Sequence, residues 1–235
     1  FGMCNNWTMH AKVFAQHCWQ VHAIDVRNHG RSPHHSEHGY DEMAADLEAY
    51  ITSKGLEHVV LLGHSMGGKT VMNFAVRRPS LVDAVIVVDI APKAYPIHHQ
   101  QYIDAMRSVD FSQHRSRKAV QEVMEAQLNS PGIIQFFMKS LHWETKERLA
   151  WRFNLDALET HLASVGEALE HGYYDGPALF VAGGKSGYVL PEDHDDILNL
   201  FPQAEFNTIE GAGHWVHAEA REAFSECILE FLEGL

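Results

Sequence analysis

The chain is poor in the residues that disulfide frameworks, zinc sites and nucleic-acid surfaces require. It has 3 cysteines among 235 residues, and their odd number and wide spacing argue against a disulfide framework or a zinc site. It has 18 Lys and Arg against 31 Asp and Glu, a formal net charge of -13. Because phosphate binding needs clustered cations, this balance argues against nucleic acid. No metal and no nucleic-acid partner is therefore predicted.

Long apolar runs are also missing. No segment approaches the ~18 consecutive apolar residues of a membrane-spanning helix, and the first residues do not resemble a basic and apolar leader peptide. We therefore expect a cytoplasmic protein without a membrane span. It is expected to act on a small molecule, as a monomer or a small homo-oligomer.

Short apolar segments alternate with segments of helical spacing through most of the chain. Continuous apolar strands between helices are typical of a mostly parallel sheet with helices on both faces, an α/β fold. The predicted strands are 21–26, 59–62, 82–88, 178–182 and, more weakly, 204–209, and the helices between them are 40–52, 66–77, 192–200 and 215–232.

The stretch from residue 93 to residue 172 shows no strand-like run, only helical ones. An all-helical insertion between two parallel strands is most simply a cap over the carboxyl edge of the sheet, where ligands bind. The predicted organisation is a core of residues 1–92 and 173–235 with a helical cap of residues 93–172. Apolar cap residues, Phe136 among them, are expected to line an apolar pocket.

The strongest motif is Gly-His-Ser-Met-Gly at residues 63–67. An apolar strand precedes it and a helical pattern follows, which is the context of a nucleophile elbow. Ser65 is therefore the predicted nucleophile. The backbone N–H of Met66 is the predicted oxyanion donor, because a helix beginning there directs its N–H groups at the developing charge. His64 is expected to pack at the rim or contact the substrate.

A glycine-flanked loop near the carboxyl end carries the predicted base, His214. With 18 histidines in the chain, any single one is a weak candidate. The chain order of nucleophile, acid and histidine favours His214, which follows the last strand. His217, the nearest competitor, would lie inside the next helix. Trp215 is expected beside the substrate.

Several motifs together resemble those of the α/β-hydrolase superfamily. They are Asp25-x-Arg27, the elbow, and Gly211-x-Gly213-His214. The longer string Asp-Ile-Ala-Pro at residues 89–92 resembles small bacterial carboxylesterases that also cleave acyl-CoA thioesters. The resemblance covers essentially the whole chain. It implies a serine esterase that requires no metal or organic cofactor.

The acid departs from the superfamily's usual pattern. Most members have an Asp after the strand that follows the cap, but this chain has Ser186 there. The similar carboxylesterases imply Asp89 instead, after the strand that precedes the cap, with Ser186 bonded to the acid or the histidine. Glu192 and Asp193 are the alternative acids.

Two basic residues, Lys69 and Arg107, could meet an anionic tail such as the phosphates of CoA. A solvated surface position is the stronger expectation for each.

The resemblance also implies a second oxyanion donor just before a Phe-Gly pair, and this sequence begins with that pair. We therefore expect residues upstream of Phe1 to supply the donor and a further strand. Phe1 and Gly2 are expected to line the site beside it.

The predicted reaction is hydrolysis of a carboxylic ester or thioester through an acyl-Ser65 intermediate. The same residues could serve a C–C bond hydrolase or a lyase, but the basic pocket residues usual in those enzymes are not identifiable. A ligand-binding member of the fold without catalysis is the third hypothesis.

Overall fold

The computed structural model describes residues 2–96, 99–169 and 172–235, so Phe1 lies outside the described residues. The chain divides into two compact units. The first, the helical unit, comprises residues 2–8, 23–38 and 96–166. The second, the core unit, comprises residues 9–22, 39–95 and 167–235.

The strands form two separate sheets. The strands are β1 (Val59–His64), β2 (Val82–Val88), β3 (Leu141–Trp143), β4 (Leu149–Trp151), β5 (Ala178–Gly183) and β6 (Ala204–Ile209). In the core unit the sheet has the order β1-β2-β5-β6 and every neighbouring pair is parallel. In the helical unit β3 and β4 form an antiparallel hairpin.

Helices account for most of the remaining regular structure. The α-helices are α1 (Thr8–Gln16), α2 (Tyr40–Lys54), α3 (Met66–Arg77), α4 (Gln100–Arg107), α5 (Arg117–Gln127), α6 (Pro131–Met138), α7 (Leu155–Thr160), α8 (Leu162–Gly166), α9 (His194–Leu200), α10 (Val216–Glu219) and α11 (Arg221–Glu233). Short 3₁₀ helices span Cys4–Trp7, Pro79–Leu81 and Pro191–Asp193.

The central strands of the core unit are buried almost throughout. Every residue of β5 is buried, as is every residue of β2 except Asp83. Helix α3 packs against β1 and β2, and α11 contacts β6. Strands covered in this way must be apolar at consecutive positions, which is why the apolar runs were readable in the sequence. The predicted strands 59–62, 82–88, 178–182 and 204–209 are confirmed.

The predicted strand 21–26 is wrong. Residues 19–26 have no regular structure, and Val21 and Ile24 are exposed. A β-branched segment becomes a strand only when another strand satisfies its backbone groups. No described strand pairs with this segment.

The stretch predicted to be all helical, residues 93–172, also contains the β3–β4 hairpin. Each hairpin strand has three residues, too few to show a period-2 pattern in the sequence. The helical unit has its own apolar core, in which the Trp151 indole N–H donates to the Met106 carbonyl at 3.0 Å. Phe136 packs at the margin of this core, with its ring 5.7 Å from that of Phe137.

None of the helices in the described part of the chain has the length and apolar character required to cross a bilayer.

Candidate active site

Ser65 occupies a one-residue turn between β1 and α3. Its backbone lies in the left-handed region, with φ 54° and ψ -119°, a conformation that costs a non-glycine residue about 1–3 kcal/mol. The turn is held on both sides: the Ser65 N–H donates to the Val88 carbonyl at 3.0 Å, and the Lys69 N–H donates to the Ser65 carbonyl at 3.1 Å. A strained serine between strand and helix is the geometry of a nucleophile elbow.

Close approach of neighbouring atoms explains two of the glycines around this turn. A Cβ at Gly63 would lie 2.1 Å from the Gly67 carbonyl oxygen, and one at Gly68 would lie 2.5 Å from the Ile90 side chain. Any larger residue at either position would push α3 away from the sheet. The predicted oxyanion donor, Met66, is the first residue of α3, so its N–H lies outside the hydrogen-bond pattern of the helix.

Asp89 occupies the corresponding position at the end of β2. Its backbone is also left-handed, with φ 52°, and its side chain is fully buried. The carboxylate accepts three hydrogen bonds: from the Gly183 N–H at 3.0 Å, from the Ser186 hydroxyl at 2.5 Å and from His214 Nδ1 at 2.8 Å. A buried carboxylate is stable only with such partners.

His214 lies in the loop after β6, and this loop approaches the end of β5 closely. A Cβ at Gly183 would lie 2.3 Å from the Gly213 carbonyl oxygen. Because Nδ1 faces the Asp89 carboxylate, the proton of the neutral ring resides on Nδ1 and Nε2 is the basic nitrogen. The imidazole is about one-quarter exposed.

His64 connects the His214 loop to the elbow. Its Nε2 donates to the His214 carbonyl at 2.7 Å, and the two rings are 4.6 Å apart. Burial lowers the pKa of His64 well below its usual value, so the ring is neutral. The contact holds the loop that carries His214 against the residue that precedes Ser65.

Two tyrosines that no sequence motif indicated extend this arrangement. The Tyr188 ring stacks on the His214 ring, with centroids 3.9 Å apart and planes at 20°. The Tyr95 hydroxyl donates to the Tyr188 carbonyl at 2.5 Å and accepts from the Ala91 N–H at 2.8 Å. The sequence feature that came closest to indicating either tyrosine was the position of Tyr188, two residues after the predicted site residue Ser186.

The alternative acids lie elsewhere. Asp193 binds the Lys93 ammonium through both carboxylate oxygens at 2.7 Å, and Glu192 is exposed. Of the predicted acids, Asp89 is the one in contact with His214.

The remaining predicted residues are distributed between the units. Trp215 is half-buried directly after His214, and its N–H donates to Glu219 at 3.3 Å. Gly2 and Phe136 belong to the helical unit. Within the described ranges, no cluster of His, Cys, Asp and Glu side chains is suited to hold a metal ion.

The expectation of a solvated Lys69 is wrong, because that residue is 2% exposed. The sequence of α3 did not indicate this burial, since a lysine in a helix usually faces water. Arg107 is partly exposed and forms ion pairs with Asp156 and Glu159.

A strained serine between strand and helix, with an aspartate from the end of β2 bonded to a histidine from the loop after β6, defines the class of α/β hydrolases with a nucleophile elbow. Residues 4–226 match the alpha/beta hydrolase family, and the chain belongs to it. The assignment made from the sequence motifs is confirmed.

Similar proteins carry esterase and lipase names. The chain is 38% identical over 240 residues to the Mus musculus protein named sn-1-specific diacylglycerol lipase ABHD11, covering 99% of this chain and 78% of that protein. It is 36% identical over 210 residues to esterase YbfF of Escherichia coli, covering 89% and 81%. A solved structure of a marine microorganism esterase matches with a TM-score of 0.95 and 35% identity, covering 98% of this chain and 91% of that one. These names agree with the expected enzyme class.

Proposed function

We propose that this protein is a serine hydrolase that cleaves carboxylic esters through an acyl-Ser65 intermediate. The observation that carries the proposal is the Asp89–His214 contact at 2.8 Å, in a loop that His64, the residue before the strained Ser65, binds at 2.7 Å. The esterase and lipase names of the relatives support the choice of ester bonds over other substrates.

We propose the following roles for these residues. His214 Nε2 takes the proton of Ser65 Oγ as that oxygen attacks the ester carbonyl, and the Met66 N–H stabilises the oxyanion. Asp89 stabilises the imidazolium and holds the ring in one tautomer. His214 then protonates the departing alkoxide. In the second half of the reaction it takes a proton from water as the water oxygen attacks the acyl carbonyl, and it returns that proton to Ser65 Oγ as the acyl–Oγ bond breaks and the carboxylic acid leaves.

The proposed substrates are esters with short to medium acyl chains, with acyl-CoA thioesters as a second group that the same acyl-enzyme would serve. We propose residues 93–172 as a cap over the site. We also propose that Gly2, His64, Phe136 and Trp215 contact the substrate, and that Phe1, outside the described residues, does so too. A cytoplasmic location and a monomer or small homo-oligomer stay predictions.

The test is hydrolysis of a p-nitrophenyl ester series from acetate to palmitate by the wild type and by Ser65→Ala. Turnover should disappear in Ser65→Ala and persist in the control Ser53→Ala, which removes an exposed hydroxyl of α2. A fluorophosphonate should label the wild type at Ser65. Full ester turnover in Ser65→Ala would overturn the proposal, and labelling without turnover would redirect it to another acyl substrate.

A further inference from the structure

Lys69 is buried one helical turn after the nucleophile, in a setting unusual for a lysine. Its Nζ donates to the Lys93 carbonyl at 2.8 Å and to the Glu167 carbonyl. The ammonium also lies over two aromatic rings, 5.0 Å from the centroid of Tyr95 and 5.8 Å from that of Tyr40. Within the described residues it has no ion pair with a carboxylate.

The two carbonyls mark the places where the chain leaves the core unit for the helical unit and returns from it. Lys93 is two residues before the end of one core segment, and Glu167 is the first residue of the next. A hydrogen bond of 2.7 Å from the Leu169 N–H to the Pro92 carbonyl joins the same two stretches. Lys69 therefore holds both connections against α3.

Tyr95 links Lys69 to the loops around the acid. The ring that receives the ammonium carries the hydroxyl that bridges the Ala91 N–H and the Tyr188 carbonyl. Ala91 lies two residues after Asp89, and Tyr188 lies two residues after Ser186 and stacks on His214. A displacement of Tyr95 would therefore disturb both sides of the His214 imidazole.

We propose that Lys69 is a positioning residue for the hydrolase reaction. Through Tyr95 it fixes the positions of the loop of Asp89 and the loop of Tyr188 on the two sides of His214. The inference rests on the proposed function of Ser65 and His214. Lys69 contacts neither the nucleophile's hydroxyl nor the imidazole, so its effect on the reaction is indirect.

Burial of this ammonium opposes folding stability. A variant that loses activity without losing stability would therefore distinguish a positioning role from a merely structural one. Desolvation lowers the pKa of Lys69 to about 8, and the nearby Glu167 offsets it only in part. An apolar side chain of similar volume at this position removes the cost of burying a charge. Both carbonyls belong to residues that are not fully buried, so water can replace the lost donor.

The experiment compares Lys69→Met and Tyr95→Phe with the matched pair Lys54→Met and Tyr50→Phe. The control pair also places a lysine over a tyrosine ring, at 5.8 Å, but on the exposed side of α2. Steady-state kinetics on a p-nitrophenyl ester, the urea unfolding midpoint and the downfield proton resonance of the His214 Nδ1–H bond are measured for each variant.

We expect Lys69→Met and Tyr95→Phe to lower kcat about 10- to 100-fold with KM little changed, as misplacement by about 1 Å does. Lys69→Met should unfold at an unchanged or higher urea concentration, and its downfield resonance should shift or broaden. Lys54→Met and Tyr50→Phe should behave as the wild type.

The inference is overturned if Lys69→Met keeps the wild-type kcat and resonance, or if kcat falls only in step with a lower unfolding midpoint. Failure of the proposed function has a different signature: the wild type itself would neither turn over esters nor react with a fluorophosphonate. The resonance does not depend on turnover, so it tests the role of Lys69 in either case.

Discussion

The loops after β2 and β5 contribute to the same carboxylate site in opposite ways. The β2 loop supplies the acid itself, Asp89, from a left-handed backbone position with φ 52°. The last residue of β5 and the loop after it supply two donors to that acid, the Gly183 N–H and the Ser186 hydroxyl, at 3.0 Å and 2.5 Å. One strand end brings the charge and its neighbour stabilises it.

The physical basis is the spacing of parallel strands. Adjacent strands lie about 4.8 Å apart, and their carboxyl ends meet at one edge of the sheet. A short side chain from either end can therefore approach His214 Nδ1. The position of the acid along the chain is thus a weaker constraint than its position in the sheet, and the two loops can be tested against each other.

The largest effect is expected from Asp89→Asn. The amide cannot stabilise the imidazolium and favours the wrong tautomer of His214, so kcat should fall about 10⁴-fold. Kinetics on p-nitrophenyl butyrate would measure it, with Asp193→Asn as the control because Asp193 binds Lys93 instead. A loss smaller than tenfold would remove Asp89 from the proposed role.

A smaller but sharper effect is expected when the two loops exchange side chains. Asp89→Ser alone should resemble Asp89→Asn, whereas Asp89→Ser combined with Ser186→Asp should recover about tenfold or more of kcat, because contacting residues are energetically coupled. The double-mutant cycle over these positions is the measurement. No recovery would mean that the backbone of the β2 loop is itself required.

The loss of Ser186 alone should be modest. Ser186→Ala removes one of the three donors to the buried Asp89 carboxylate. The loss of one such hydrogen bond costs about 1–3 kcal/mol, so we expect kcat to fall about tenfold. Ser53→Ala serves again as the matched control on the surface. A loss as large as that of Asp89→Asn would show that the hydroxyl acts on the reaction more directly than proposed.

The smallest effect concerns a buried polar group that lacks the partners Asp89 has. His38, in the helical unit, is fully buried, and its Nε2 has no hydrogen bond. Desolvation, the largest cause, lowers its pKa to about 4. Between about pH 6.5 and pH 4 the unfolded chain binds a proton at this position that the folded chain does not. The free energy of unfolding therefore decreases as the pH is lowered, by at most about 1.4 kcal/mol per pH unit from this group.

Urea midpoints at pH 7, 5.5 and 4.5 would measure this slope. His38→Leu should flatten it, and the control His58→Gln, which removes an exposed imidazole, should leave it as in the wild type. Parallel curves for wild type and His38→Leu would contradict the assignment.

Whether an element could be predicted from the sequence depends on how close together in the chain the residues that determine it lie. The elbow was readable because a strand, a glycine-flanked serine and a helix follow one another within a few residues around Ser65. Strands β2 and β5 were readable because burial on both faces demands apolar residues at every position. The β3–β4 hairpin and the irregular segment 19–26 were not, because pairing depends on distant strands.

The sequence by itself determined the fold class and indicated Ser65 and His214 as the candidate nucleophile and base, since each of these signals lies within a few consecutive residues. Asp89 was inferred only by resemblance. Its contact with His214, the stacking of Tyr188 and the burial of Lys69 were decided by the tertiary structure. The physical reason is that each of these depends on which strand ends and loops meet in space, and no local pattern encodes that distance.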